Sequence, residues 1–190
     1  MLGGLSDEHL IDRIAAGDRL ALNAFVARYQ GRVFRLTRAL VGDEQRAEDA
    51  LQETFVEVWR SASSYRGEGS ARAWLYGLAR HKSWRTLRRR AGEPVDTDPL
   101  EVLGVEAGWS TDRDPEQLTA AAEDHDRVWA AMERLDEGDR EVLTLRDLEQ
   151  LSGDEVAALL GMSLPAMKSR LHRARLRLMA VLVEGGSDVC

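Results

Sequence analysis

The sequence predicts an all-α protein: two small helical domains joined by an acidic flexible linker, the second containing a helix-turn-helix. Three observations carry this. Apolar residues recur at three- and four-residue steps through both ends of the chain, the period of an amphipathic helix. No strand-like alternation lies between hairpin turns. In the middle, Pro94, Pro99 and Pro115 fall with Gly92, Gly104 and Gly108 in a polar, acidic stretch without period. That composition describes a linker extended by its own charge. The expected boundaries are a first domain over 1–91, a linker over 92–115, a second domain over 116–184 and a tail over 185–190.

In the first domain, Ser6 is placed to cap a helix running to about Ala16, and Asp18 to cap a second. A third apolar pattern holds Val33, Phe34, Leu36 and Leu40. The clearest helix runs from about Asp43 to Arg60. There Ala47, Ala50, Leu51, Thr54, Phe55, Val58 and Trp59 form one continuous apolar face, with Asp49, Gln52, Glu53 and Glu57 off it. A loop over Ser61–Gly69 follows, and Ser70 can cap the next helix. On that helix Trp74, Leu75, Leu78 and Ala79 make a core side, while Arg80, His81, Trp84 and Arg88 share another. An indole among guanidinium groups offers single-stranded bases a stacking face beside phosphate neutralisation.

The second domain is expected to hold helices near Glu116–Arg134, Glu137–Leu148, Gly153–Leu160 and Leu164–Val183, with short links that favour a bundle. Ser152 and Glu155 have capping-box spacing. Val156, Leu159 and Leu160 give an apolar stripe, Ala157 is small enough for a close crossing, and Gly161 can end the helix in the left-handed conformation. Ser163 can cap the following helix, with Pro165 in its first turn. Leu164, Met167, Leu171 and Leu178 face inward on it. Lys168, Ser169, His172 and Arg173 project elsewhere near its amino-terminal half. A basic second helix of this kind fits a major groove, with residues near its amino terminus reaching base edges. Arg170, Arg175 and Arg177 suit phosphates.

Net charge of -7 argues against a nucleic-acid partner until its distribution is seen. Arg60, Arg66, Arg72, Arg80, Lys82, Arg85, Arg88, Arg89 and Arg90 are opposed only by Glu68, and Lys168 to Arg177 contains no acid. Glu93 to Asp126 holds the compensating negative charge, with Arg113 its only strong cation. Two basic stripes on an acidic chain can bind a polyanion locally. Cys190 is the sole cysteine, which excludes an intramolecular disulfide and suits a reducing cytosol. No apolar run approaches the roughly 20 residues that span a bilayer, and Met1 to Asp7 lacks the parts of a signal peptide. A cytoplasmic protein without membrane insertion is expected.

Catalytic chemistry finds no support. His9, His81, His125 and His172 are scattered, away from zinc-ligand spacing. Gly67-Glu68-Gly69 lacks a phosphate-loop pattern, and the linker acids lack an EF-hand arrangement. No enzymatic activity, metal or cofactor is expected.

The order of parts resembles a known family. Ala47-Glu48-Asp49-Ala50-Leu51-Gln52-Glu53-Thr54-Phe55 resembles the core-binding helix of RNA polymerase sigma factors. Tyr65-Arg66-Gly67 and Ala73-Trp74-Leu75-Tyr76-Gly77-Leu78-Ala79-Arg80 resemble the promoter-melting segment. Glu155 to Ser163, followed by Met167 to Arg175, resembles the carboxy-terminal helix-turn-helix. Lack of the middle domains of larger sigma factors points to the extracytoplasmic-function (ECF) subfamily.

The resemblance implies partners in polymerase core, promoter DNA and an anti-sigma factor, through which the chain could be tethered to a membrane. It assigns Asp49, Gln52, Glu53, Phe55 and Trp59 to core polymerase, an acidic patch suited to a basic coiled coil. Ser64, Tyr65, Arg66, Arg80, His81, Trp84, Arg85 and Arg88 fall to opening and reading the -10 element. Lys168, Ser169, Arg170, His172 and Arg173 fall to the -35 element. His81 stands where the family often has asparagine, Arg85 where it often has aspartate, and Pro165-Ala166 replaces a common Gly-Thr pair. The rival expectation is a helix-turn-helix repressor or activator that does not bind polymerase core.

Overall fold

The computed structural model describes residues 4–88 and 120–186, without the side chains of 120–126 and 185–186. The expected linker over 92–115, Arg89, Arg90 and Cys190 lie outside the described residues. The regular structure of the described residues is entirely helical, without a strand, and they fall into two units.

The first unit contains α1 (Asp7–Ala15), α2 (Arg19–Val41), α3 (Glu44–Ser61), a short 3-10 turn (Ala62–Ser64) and α4 (Ala71–Arg88). Its helix starts are fixed locally. The Ser6 hydroxyl accepts from the His9 amide, and the Asp18 carboxylate from the Leu20 and Ala21 amides at 2.9 and 3.2 Å. Asp43 accepts from Arg46 at 3.0 Å, and Ser70 from Ala73 at 3.1 Å. Each side chain satisfies amides that have no partner within the helix. Gly42 ends α2 at φ 76°, a conformation that costs other residues a Cβ clash.

The second and third apolar patterns of the sequence belong to one helix, α2, which continues through Gly31. An internal glycine costs about 1 kcal/mol of helix propensity. Phe25, Tyr29, Val33, Leu36 and Leu40, all buried on one seam of α2, outweigh it at about 1.5–3 kcal/mol each. Against α2 pack α1, α3 and α4, and α3 also packs against α4.

The second unit contains α5 (Ala120–Glu133), α6 (Glu137–Leu143), a widened π turn (Thr144–Leu148), α7 (Gly153–Leu160) and α8 (Leu164–Gly186). Residues 116–119, where the first of these was expected to begin, lie outside the described residues. The expected Glu137–Leu148 helix opens into the π turn, where the Glu149 amide reaches the Thr144 carbonyl at 2.9 Å. Gln150 then takes φ 56°, and Leu151 turns back to bond the Leu145 carbonyl at 3.1 Å. Burial of Leu145, Glu149 and Leu151 together fixes this exit.

The capping box at α7 is complete. Ser152 accepts from the Glu155 amide at 3.2 Å, and Glu155 accepts from the Ser152 amide at 2.8 Å. Gly161 takes φ 65°, and the Met162 amide closes back on the Ala157 carbonyl at 3.0 Å. α7 comes close to α8 at Gly153, where an added Cβ would lie 3.0 Å from Leu164 and 3.2 Å from Met167. Val156, Ala157, Met167, Leu171 and Ala174 fill the seam between these helices.

Candidate nucleic-acid and partner interfaces

On α3 the expected contact residues divide. Asp49 and Gln52 are exposed and Trp59 is half-buried. Glu53 is only 7% exposed, and Phe55 is fully enclosed. The cause is packing on two sides. The seam from Ala47 to Val58 fills one side, but Val56 on the opposite side is also buried, because α3 lies against both α2 and α4. Glu53 goes in with Val56. A single-face reading of the period misses this second contact.

The loop before α4 is held by its own polar groups. Ser64 donates to the Ser61 carbonyl at 2.7 Å, and the Tyr65 hydroxyl donates to the Gly69 carbonyl at 3.1 Å. The Tyr65 and Trp74 rings meet at 5.3 Å and 47°. Gly67 and Gly69 have φ of 72° and 82°, so the loop reverses where only glycine is unstrained. Burial raises the Tyr65 phenol above its ordinary value, aided by the charges of Glu8, Asp12 and Asp7. Ser64 and Arg66 are exposed.

Along α4, His81, Arg85 and Arg88 are exposed, while Arg80 and Trp84 are half-buried. The Arg80 guanidinium lies 5.9 Å from the Trp84 ring centre, a cation–π distance. The Trp84 Nε1 has no hydrogen-bond partner among the described residues. Lys82, counted with the basic stripe, points inward and donates to Glu57 at 2.7 Å. Its charge is used between helices.

On α8, Lys168, Ser169, His172 and Arg173 are exposed and share one surface at steps of one, three and one residues. The arginines expected at phosphates are differently placed. Arg175 forks onto Asp147 at 2.9 and 2.6 Å. Arg177 meets Asp139 and, at 3.1 Å, Asp136. Arg170 lies 3.6 Å from Asp139 and 3.7 Å from Asp136. Hydrogen bonds to these carboxylates raise the Arg175 and Arg177 guanidinium groups above their ordinary range. Sequence reasoning missed Asp136, Asp139 and Asp147 as their partners, which lie 28 or more residues earlier.

Among the described residues, no three His, Cys, Asp or Glu side chains gather as metal ligands. No described helix is long and apolar enough to cross a membrane.

Comparison with known proteins agrees with this arrangement. Residues 25–93 match Sigma-70 region 2, and residues 125–178 match Sigma-70, region 4. The ECF RNA polymerase sigma-E factor of Salmonella typhi is 33% identical over 177 residues, covering 90% of this chain and 91% of that protein. The RNA polymerase sigma-H factor of Pseudomonas aeruginosa is 30% identical over 179 residues, covering 92% and 93%. Among solved structures, CnrH in complex with the cytosolic domain of CnrY superposes with a TM-score of 0.66 at 28% identity, covering 94% of this chain and 97% of that one. The sigma factor RpoE of Bartonella quintana, solved with the anti-sigma factor NepR, shares the fold at a TM-score of 0.60 and 20% identity, covering 83% and 93%. The chain belongs to the sigma-70 family of transcription initiation factors, in its ECF branch.

Proposed function

We propose that this chain is the dissociable subunit that gives RNA polymerase core its promoter specificity. The first unit docks on the core through the exposed acidic side of α3, with Asp49 and Gln52 at its centre and Trp59 at its edge. Glu53 and Phe55 support that surface from beneath. The loop with Ser64, Tyr65 and Arg66, and the α4 face with Arg80, His81, Trp84, Arg85 and Arg88, open and hold the -10 strands. Stacking on an indole next to guanidinium groups is the chemistry single strands need.

The second unit sets α8 in the major groove of the -35 element. Lys168, Ser169, His172 and Arg173 face the bases and nearby phosphates there. The observation that carries this reading is the exposed polar face of α8, mounted on a fully capped helix-turn-helix, in a chain that matches both sigma regions. An anti-sigma factor that covers these surfaces is a further expected partner, since the Bartonella quintana relative of the same fold was solved with one. The reading places the protein in the cytoplasm and assigns it no catalytic step of its own.

The test is co-purification of the tagged chain with core polymerase. Stoichiometric binding is expected. A helix-turn-helix regulator independent of the core would leave the polymerase behind.

A further inference from the structure

We propose that Asp136, Gly138 and Asp139 form a clasp that sets the orientation of α8 by holding Arg170 and Arg177, and that these two arginines position the reading face instead of contacting phosphates. This rests on the proposed role of α8 in -35 recognition. Asp139 is the centre of the arrangement. Its side chain is 2% exposed, and a carboxylate taken that far from water requires cationic partners. Both partners come from α8. Arg177 Nη1 donates to its Oδ2, and Arg170 Nε lies 3.6 Å from its Oδ1. Asp136 spans the same two arginines, at 3.7 Å to Arg170 and 3.1 Å to Arg177. Its own position is fixed, because its Oδ1 also accepts the Asp139 amide at 2.9 Å.

The spacing follows from helix geometry. Arg170 and Arg177 are seven residues apart, about two turns, so they leave α8 on the same side. Ser169 and His172 lie around the helix from that side, whereas Arg173, three residues after Arg170 and four before Arg177, lies beside it. A rotation of α8 permitted by losing the clasp therefore moves every proposed reader together. Gly138 supplies the third part. A Cβ added there would fall 1.8 Å from Arg170 Nη2 and 2.4 Å from its Cζ. The guanidinium therefore packs close against the Gly138 backbone, and an alanine methyl there would push it out of the clasp. Arg177 and Asp136 are each half-exposed, so their mutual ion pair contributes little by itself. The buried Asp139 makes the geometry obligatory.

The two roles predict opposite signs. If Arg170 and Arg177 served phosphates, Asp139 would compete with DNA for them, and neutralising it would strengthen binding. If they position α8, neutralising it weakens recognition. The experiment uses holoenzyme assembled from core polymerase and the full chain. Binding to a labelled promoter is compared with binding to the same promoter carrying a scrambled -35 element, over a range of salt. Asp139→Asn and Gly138→Ala are expected to lower the preference for the intact element by about fivefold or more, comparable to losing one base contact. Arg170→Ala is expected to lower that preference without changing the slope of affinity against salt.

Gly138→Ala keeps every charge and replaces glycine with a better helix former, so it carries the test if Asp139→Asn unfolds the second unit. Thermal melts of each variant separate unfolding from misorientation. Tighter, more salt-sensitive binding by Asp139→Asn would overturn the proposal. So would a slope reduced by about one in Arg170→Ala, the signature of a lost phosphate contact, or an unchanged preference in Gly138→Ala. A wild-type holoenzyme indifferent to scrambling would instead strike the functional reading and leave the clasp as a feature of folding.

Discussion

Lys82 and Glu57 show how one residue's environment can reverse its expected role. By composition Lys82 is one cation in a basic stripe. In the fold its side chain is 8% exposed, and its ammonium is bonded at 2.7 Å to the carboxylate of Glu57, whose side chain is 31% exposed. The Lys82 hydrogen bond holds the Glu57 carboxyl below its ordinary 4.5, against the opposing effect of burial and with help from the charges of Lys82, Arg60 and His81. A depressed carboxyl stabilises the fold above its unfolded value, and that contribution is lost as pH falls through the folded one. Glu57→Gln is therefore expected to cost the first unit about 1–3 kcal/mol at neutral pH. It should also remove part of the acid sensitivity expected below about pH 4.5. Urea titrations followed by tryptophan fluorescence at both pH values measure this. Phe55→Ala should cost about 3–5 kcal/mol through an unfilled cavity. Its effect on polymerase binding should then track loss of folded protein, because Phe55 has no surface to offer.

At the scale of elements, what was legible in the sequence was local. Ser6, Asp18, Asp43, Ser70 and Ser152 act on amides two or three residues away, so their types and spacing announce the helix starts. Gly161 announces the turn for the same reason. Ser152→Ala should lower the melting stability of the second unit by about 1 kcal/mol. Gly161→Ala should lower it by about 1–2 kcal/mol, all from the left-handed backbone, since no atom lies within 4 Å of the added Cβ. Calorimetry of the two variants checks both values. What was illegible depends on distant packing. The π turn at Thr144–Leu148 reflects the burial of Leu151, and the inward turn of Glu53 reflects a second neighbour for α3. Neither leaves a trace in a periodicity that records one face at a time. The ion partners of Arg170, Arg175 and Arg177 were hidden for the same reason, since Asp136, Asp139 and Asp147 meet them only through the tertiary fold.

For the whole molecule, the division of labour between the units is the consequential claim. Charge is distributed accordingly: exposed acids on α3, and exposed basic groups on α4 and the first half of α8. Reversal at Glu53, attractive from sequence alone, would bring a lysine into a nearly closed site and test folding instead of docking. Asp49→Lys acts from an exposed position. It should weaken association with core polymerase, measured by competition binding, while leaving -35 preference intact. Arg173→Ala should do the reverse, with a loss of about 1–3 kcal/mol in upstream discrimination. Equal damage by both variants at the same step would contradict separate roles for the two units.

Transcription with purified components tests the central claim most directly. Core polymerase is supplied with this chain and with fragmented DNA from its own genome, and the 5′ ends of the transcripts are mapped. The expected result is a small set of discrete start sites, absent without the chain, each preceded by shared sequence at -10 and -35 spacing. Unchanged start sites with and without the folded chain, in the presence of active core enzyme, would contradict a role in promoter selection.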